Sequence, residues 1–285
     1  MRRLIINADD FGLTSGVNRA IAESHRSGVL TSATIMANAR AFDEAAGIAK
    51  TLPKLKTGCH LVLIDGDPVS SGLKSLTNGA GRFRSSLKEF AMAAVRGRIS
   101  ADEIQREAEA QIRKIQAQGV TLDHVDSHKH THMFPHVLRP VLRAARACGI
   151  RAVRNPFEPL RSWPLGMVLG SPGMWLRSAG VTAFQMFAAE FRKALGEEGM
   201  ASTDGTVGIA ATGKLDQKAL LALLTAVPEG TWELVCHPGY SDADLRAAGT
   251  RLTVSREVEM AALISAKTKE ALARQKIELI SYAEL

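Results

Sequence analysis

The sequence predicts an α/β fold, a regular or distorted (β/α) barrel of seven or eight units in one domain spanning residues 1–285. Two observations predict it. Strand-like apolar runs alternate with helical stretches along the chain, without repeats or low-complexity linkers. In addition, side chains capable of chemistry stand at or just beyond the ends of five separate strands, at Asp9-Asp10, His60, His128, Arg154 and His237. In a parallel barrel all strand C-termini lie on one face, so these five places would meet at a single rim.

Taken in order, residues 3–7 read as a short buried strand and 15–27 as a helix, with a Ser/Thr start signal and Gly28 as its stop. Residues 33–37 and 42–51 form the next unit, and 56–63 a third strand ending near His60. Residues 65–84, rich in Gly, Pro and Ser, are too long for an ordinary connection, and long loops in compact domains often carry function. Ser100-Ala101-Asp102-Glu103 is a capping box, followed by Ile104, Ala108, Ile112 and Ile115 at helical spacing before Gly119. Residues 121–126 are a fourth strand, Pro135 opens a helix to about Cys148, and 151–154 are a fifth strand. The rhythm then breaks. Pro156, Pro159, Pro164, Pro172, Trp163 and Trp175 mark an apolar insertion around 155–200, either plain core or an apolar lip for a bulky substrate. Strands at 207–211, 231–236 and 277–281, with helices at 216–226 and 255–274, close the chain.

The residues 123–132 hold four of the eight histidines. Imidazoles packed this closely share a metal, share protons or sit in solvent. His124, Asp126, His128, His130 and His132 share parity, so on an extended segment they would line one face as half of a metal site. The plain alternative is a solvated His-rich loop. Three cysteines, Cys59, Cys148 and Cys236, fit buried reduced thiols better than a disulfide framework. Alternation points Cys59 and Cys236 away from the histidines beside them, which makes them small hydrophobes and not nucleophiles. No window reaches the roughly 18 apolar residues of a membrane span. The basic start is followed too soon by acids to be a signal peptide, so the cytoplasm is the expected location, with contact at the inner membrane surface left open. A formal charge of +7 is spread along the chain and reads as a generally basic surface.

Each candidate has a plain reading. Asp9 and Asp10 could be turn and capping residues; at a barrel mouth, one could hold a divalent cation while the other takes a proton from water. His60 alone would be a core histidine, but the histidine cluster makes a ligand role the better reading. His237, in Cys236-His237-Pro238-Gly239, either shapes a turn or protonates a leaving group. Arg154 either balances local acids or contacts an oxyanion-like group.

Four ordered motifs now carry a resemblance. They are Asn7-Ala8-Asp9-Asp10-Phe11-Gly12, Gly58-Cys59-His60-Leu61, Asp126-Ser127-His128-Lys129-His130-Thr131-His132, and Glu233-Leu234-Val235-Cys236-His237-Pro238-Gly239-Tyr240. Together they resemble the YdjC-like carbohydrate deacetylases, from residue 2 to near the end. The resemblance implies a distorted barrel related to polysaccharide deacetylases, with a divalent metal, Mg²⁺ or Zn²⁺. It implies Asp10, His60 and His128 as metal ligands, Asp9 as general base and His237 as general acid. Asp126, His130, His132 and Arg154 would contact substrate or support the ligands. The reaction implied is hydrolysis of an N-acetyl group on an N-acetylglucosamine-containing substrate. The segment 151–159 and the Trp-rich stretch after it resemble the hopanoid-associated branch called HpnK, whose sugar would be lipid-linked; chito-oligosaccharides are the other substrate class. Lys129 would repel a nearby cation and is expected to point outward. Two other classes remain: a metal-dependent phosphoesterase using Arg154 on phosphate, and a basic barrel binding a polyanion, although no nucleic-acid motif is present. A homodimer is compatible with the sequence.

Overall fold

The computed structural model describes residues 1–159, 180, 182 and 184–285. Its frame is an eight-stranded parallel sheet. The strands are β1 (Arg2–Phe11), β2 (Ser32–Ile35), β3 (Lys56–Leu61), β4 (His124–Ser127), β5 (Ala152–Val153), β6 (Gly205–Val207), β7 (Gly230–Cys236) and β8 (Ile277–Leu279). They run in the order β5-β4-β3-β2-β1-β7-β6, with β8 paired to β1. β1 is long enough to serve three partners. Its whole lower length pairs with β7, its first residues pair with β8 through Arg2 to Leu4, and its upper end takes β2 from Asn7 onward. Edge strands β5 and β6 are joined without a regular ladder. Val153 N–H donates to the Ala201 carbonyl (3.0 Å), Thr206 N–H to Phe157 (3.2 Å), and Thr206 Oγ1 to Asn155 (2.7 Å). Among the described residues no ladder closes the sheet here, and the barrel is distorted at this seam.

The helices among the described residues are α1 (Ser15–Arg26), α2 (Phe42–Thr51), α3 (Leu87–Val95), α4 (Ala101–Ala117), α5 (Pro135–Ala147), α6 (Ala188–Glu198), α7 (Gln217–Ala226), α8 (Ala243–Ala247), α9 (Val254–Ile264) and α10 (Ala266–Arg274). They cover the outside of the sheet with one continuous apolar cluster, to which Ile21, Ile112, Val137, Leu142 and Leu220 contribute. α3 falls in a stretch the sequence reading left unassigned; Ser86 caps it by accepting from Glu89 N–H. Residues 160–179, 181 and 183 of the apolar insertion expected around 155–200, Trp163 and Trp175 among them, lie outside the described residues; α6 accounts for its last part.

Three local expectations are corrected. The sixth strand stops at Val207 and does not run to residue 211. Gly208 turns to φ 96°, and the Gly208 and Ala210 N–H groups go to the Glu158 carboxylate instead of a neighbouring strand. At Ser100 only half of the capping box forms. Ser100 Oγ accepts from Glu103 N–H, but the Glu103 carboxylate turns to the backbone N–H groups of Lys74, Ser75 and Leu76. Glu107 takes Val69 and Ser70 in the same way, so two carboxylates of α4 pin the long 65–84 loop. Finally, the alternating row of histidines does not exist past Ser127. β4 ends there, and Lys129 and His130 adopt left-handed φ of 54° and 53°, so His128, His130 and His132 lie on a tight turn. Ser127 Oγ closes the turn by accepting from His132 N–H at 3.0 Å.

Inside the barrel, two rings stack on each other. His124 lies against Tyr282 with centroids 3.8 Å apart and planes 12° from parallel. A Cβ on Gly58 would stand 2.4 Å from His124 Cε1 and 2.6 Å from both ring nitrogens. Because the stacked ring has nowhere to retreat, Gly58→Ala is expected to cost about 1–3 kcal/mol of stability. A lower denaturant midpoint at unchanged slope would show it; an unchanged midpoint would mean that the ring moves freely.

Candidate active site

Asp10 occupies the upper end of β1, with a left-handed φ of 66° that swings its carboxylate toward β3 and the turn after β4. Its Oδ1 stands 3.5 Å from His60 Nε2 and 3.4 Å from His128 Nδ1, and these two nitrogens are 3.4 Å apart. The three donor atoms form a nearly equilateral triangle. Ligands about 2.1 Å from a tetrahedral ion stand about 3.4 Å from one another, so the triangle has the size of one face of such a shell. Behind it, His60 Nδ1 is held by Asp126 Oδ1 at 2.8 Å, which directs Nε2 at the triangle. Asp10 Oδ2 accepts from Arg256 at 2.5 Å, leaving Oδ1 for the triangle. Asp10 and His60 are buried, while the His128 side chain is 24% exposed and marks the open side.

The charge balance also fits a cation. Four buried carboxylates, of Asp9, Asp10, Asp126 and Glu233, face two buried guanidinium groups, of Arg154 and Arg256, leaving two negative charges. Burial works to lower the His60 pKa, but Asp126, Asp9 and Asp10 outweigh it and raise the imidazole to about 9. Burial would raise Asp10, yet Arg256, His128 and His60 hold it well below the usual carboxylate range. The pocket therefore attracts positive charge, as a proton or as a metal ion. Two imidazole nitrogens and one carboxylate oxygen, with a side open to solvent, suit a divalent ion with free positions.

Asp9, His60 and Asp126 form a second group close enough for a metal, but Arg154 already fills it. Nε of Arg154 donates to Glu233 at 2.9 and 3.0 Å. Nη1 stands 2.9 Å from Asp9 Oδ2 and 2.6 Å from Asp126 Oδ2, and Nη2 stands 2.6 Å from both Asp9 Oδ1 and Glu233 Oε1. No nitrogen of this fully buried group is left for an outside anion. Burial acts to raise Asp9 and Asp126, but in each case Arg154 reverses this and the carboxyl stays below its ordinary value.

His237 follows β7 and faces Asp9 from the other side, its Nε2 3.9 Å from Asp9 Oδ2. Glu259 of α9 accepts the His237 N–H at 2.6 Å, and its Oε2 lies 3.8 Å from Nδ1. His130 is half-buried, with Nδ1 enclosed and no hydrogen-bond partner among the described residues; burial and Arg154 push it down to about 3. His132 is buried between Ser127 Oγ (2.6 Å) and the Arg154 carbonyl (3.1 Å), away from the open side, and burial brings it down to about 4. Lys129 points outward to Asp65, as its charge requires. Cys59 and Cys236 are buried, and burial raises both thiols well above their usual range, so neither is a ready nucleophile.

The site thus unites Asp9, Asp10, His60, Asp126, His128, Arg154 and His237, with His130 beside them and His132 behind. Sequence reading missed Arg256 and Glu259, and gave Glu233 no role. Arg256 and Glu259 sit three residues apart on one turn of α9, a spacing that brings both to one helix face. That spacing was the available signal, although in sequence it equally describes a solvated pair.

Replacing Arg154 leaves three carboxylates buried without their counter-ion. Arg154→Met is expected to lose at least about 3 kcal/mol at neutral pH. The sign of its pH dependence follows from linkage. In the wild type, depressed Asp9 and Asp126 contribute stability above the unfolded carboxyl pKa and lose it as pH falls through their folded values. In the variant the same groups titrate upward and gain stability on protonation, so its deficit shrinks from pH 7.5 to 4.5. Denaturant unfolding at both values checks this; a constant deficit would mean that the carboxylates are solvated.

The YdjC-like protein family matches residues 3–274 of this chain. A carbohydrate deacetylase of Brevibacillus brevis is 34% identical over 284 residues, 99% of each chain. Another, of Geobacillus stearothermophilus, is 32% identical over 284 residues, 99% of this chain and 98% of its own. Among solved structures, an Enterococcus faecalis V583 protein named for cellobiose-phosphate cleavage superposes with a TM-score of 0.78 at 27% identity, covering 99% of this chain and 98% of its own. With its barrel, its rim of carboxylates and histidines and this match over nearly its whole length, the chain belongs to the YdjC-like family.

Proposed function

We propose that this protein is a metal-dependent carbohydrate N-deacetylase. The observation that carries the reading is the Asp10–His60–His128 triangle, flanked by Asp9 on one side and open to solvent at His128. The full-length relatives named carbohydrate deacetylases support the reaction class. Asp10, His60 and His128 would hold a divalent cation, Mg²⁺ or Zn²⁺, which when bound supplies Lewis acidity toward the acetyl carbonyl.

The protein's own groups do the rest. Asp9, kept ionised by Arg154 and oriented by Asn7 Nδ2 at 3.0 Å, takes a proton from the attacking water. Because Arg154 favours the ionised form, Asp9 enters the reaction without a proton and can accept one. His237, set between Asp9 and Glu259, protonates the departing amine. His130, neutral in the working range, stands beside these groups with its Nδ1 enclosed.

The substrate we favour is an N-acetylglucosamine unit on a lipid, such as a hopanoid glycolipid, with chito-oligosaccharide as the other candidate. Phe184 and Met186 support an apolar aglycone. They are exposed, and Phe184 packs at 6.2 Å on Phe134, which directly follows the histidine turn. A protein with such a substrate would work at the inner membrane surface, and no described helix is long and apolar enough to cross a membrane. A metal-dependent phosphoesterase is the other reading of the same rim, with Arg154 on the phosphate. Against it, every nitrogen of Arg154 is taken by carboxylates.

Acetate release is the deciding assay, on lipid-linked and free N-acetylglucosamine substrates, with and without EDTA and added divalent metal. Metal-dependent acetate is the expected result; phosphate release without acetate would replace the reading. Asp9→Asn is expected to keep its metal and lose about 10²–10⁴-fold in kcat, whereas His128→Ala loses both metal and turnover. Near-normal turnover by Asp9→Asn would remove Asp9 as the base.

A further inference from the structure

We propose that Glu233 and Tyr282 are positioning residues for Asp9, acting on it through the Arg154 guanidinium. The inference rests on the deacetylase reading for its kinetic consequence and on geometry for its substance. Tyr282 belongs to a short turn after β8, held shut by Ser281, whose N–H and hydroxyl both donate to Glu284 Oε1 at 2.8 Å. This turn drives the Tyr282 ring into the barrel, where it is buried and stacked on His124. Its phenol reaches Glu233 Oε2 at 2.5 Å.

Glu233 lies on β7 opposite Ile5 of β1 and Thr206 of β6. Its side chain is fully buried and accepts from two directions, from Arg154 Nε and Nη2 and from Tyr282; Thr206 Oγ1, whose proton goes to the Asn155 carbonyl, lies 3.3 Å away. Arg154 is planar and its donors are rigidly disposed, so the guanidinium cannot approach Glu233 more closely without leaving Asp9. Its two bonds to Asp9, 2.9 and 2.6 Å, therefore depend on how strongly Glu233 pulls. The Tyr282 hydroxyl satisfies one Glu233 oxygen and offsets part of that pull. Burial and the neighbouring Glu233 keep the phenol protonated far above neutral pH, so it remains a donor throughout the working range.

Packing alone does not explain the arrangement. A buried ionic cluster is commonly matched or exceeded in stability by apolar residues of similar volume. Here the chain of contacts from Tyr282 through Glu233 and Arg154 ends on the carboxylate that must face the attacked acetyl group.

The test uses Tyr282→Phe, which retains the ring and its stack on His124, and Glu233→Gln, which retains shape and removes the charge. Acetate-release kinetics, metal content and a crystal structure are obtained for the wild type and both variants. The expected result is a kcat about tenfold lower with KM within about twofold and metal content unchanged, consistent with loss of one hydrogen bond to a charged group. In the crystal structure of Tyr282→Phe, the unopposed pull of Glu233 should leave Arg154 fewer than two bonds to Asp9, whereas in Glu233→Gln the weakened pull should let Arg154 shift toward Asp9 with both bonds kept and Asp9 held as a weaker base. Wild-type kcat in both variants, or an Arg154–Asp9 pair unmoved in both, overturns the proposal. If the wild type releases no acetate from any substrate, the deacetylase reading falls, and the variant crystal structures still decide whether Glu233 and Tyr282 set the Arg154–Asp9 geometry. Should Tyr282→Phe fail to fold, Glu233→Gln decides alone.

Discussion

One buried guanidinium organises the interior of this barrel. Arg154 comes from the end of β5 and binds Asp9 of β1, Asp126 of β4 and Glu233 of β7, so a single side chain ties the neighbouring strands β5 and β4 to the pair β1 and β7 across β3 and β2. Without it the three carboxylates could not share so small a volume, because ionised groups of like sign in a dry interior repel one another strongly. The cluster also disposes of a choice that the residues alone leave open. Asp9 and Asp10 are chemically identical neighbours, yet Asp9 faces Arg154 and Asp10 faces His60, His128 and Arg256.

That division of labour depends on the backbone of β1. An extended strand sends successive side chains to opposite faces, and one of two adjacent aspartates would then leave the barrel. The left-handed conformation of Asp10 breaks the alternation where the strand ends, and both carboxylates stay at the rim. A related device operates after β4, where left-handed Lys129 and His130 fold the histidine segment back. His128 is delivered to the triangle with Asp10 and His60, His132 is placed under Arg154 as a prop, and Lys129 is turned out to Asp65. In both places non-glycine residues occupy sparsely populated backbone regions beside the reactive groups, where such conformations commonly cluster.

Two layers of residues therefore surround the open triangle. Asp10, His60 and His128 face the open space between them, and Asp126, Arg256, Arg154 and Glu259 fix the orientation of these groups or of Asp9 and His237 beside them. The long 65–84 loop, bound by Glu103 and Glu107, adds a wall that is tied to α4 by backbone hydrogen bonds. This degree of fixing matches what metal-assisted hydrolysis demands of its surroundings, since ligands and proton carriers misplaced by an ångström lose most of their effect.

The residue pattern by itself determined the barrel class, the order of most strands and helices, and the convergence of Asp9, Asp10, His60, His128, Arg154 and His237 on one rim. It could do so because apolar periodicity is local and the C-terminal ends of parallel strands share a face. The tertiary structure alone decided what each polar group faces. It sent the Glu103 carboxylate to a loop about 28 residues away and not to its own helix cap, ended β6 early at Gly208, and broke the supposed histidine row at Ser127. It also brought Arg256 to Asp10 across 246 residues and Tyr282 to Glu233 across 49. Such pairings obey no sequence period. They are set by which charges must be compensated once water is excluded, and that depends on the assembled sheet and helices and not on any one segment of the chain.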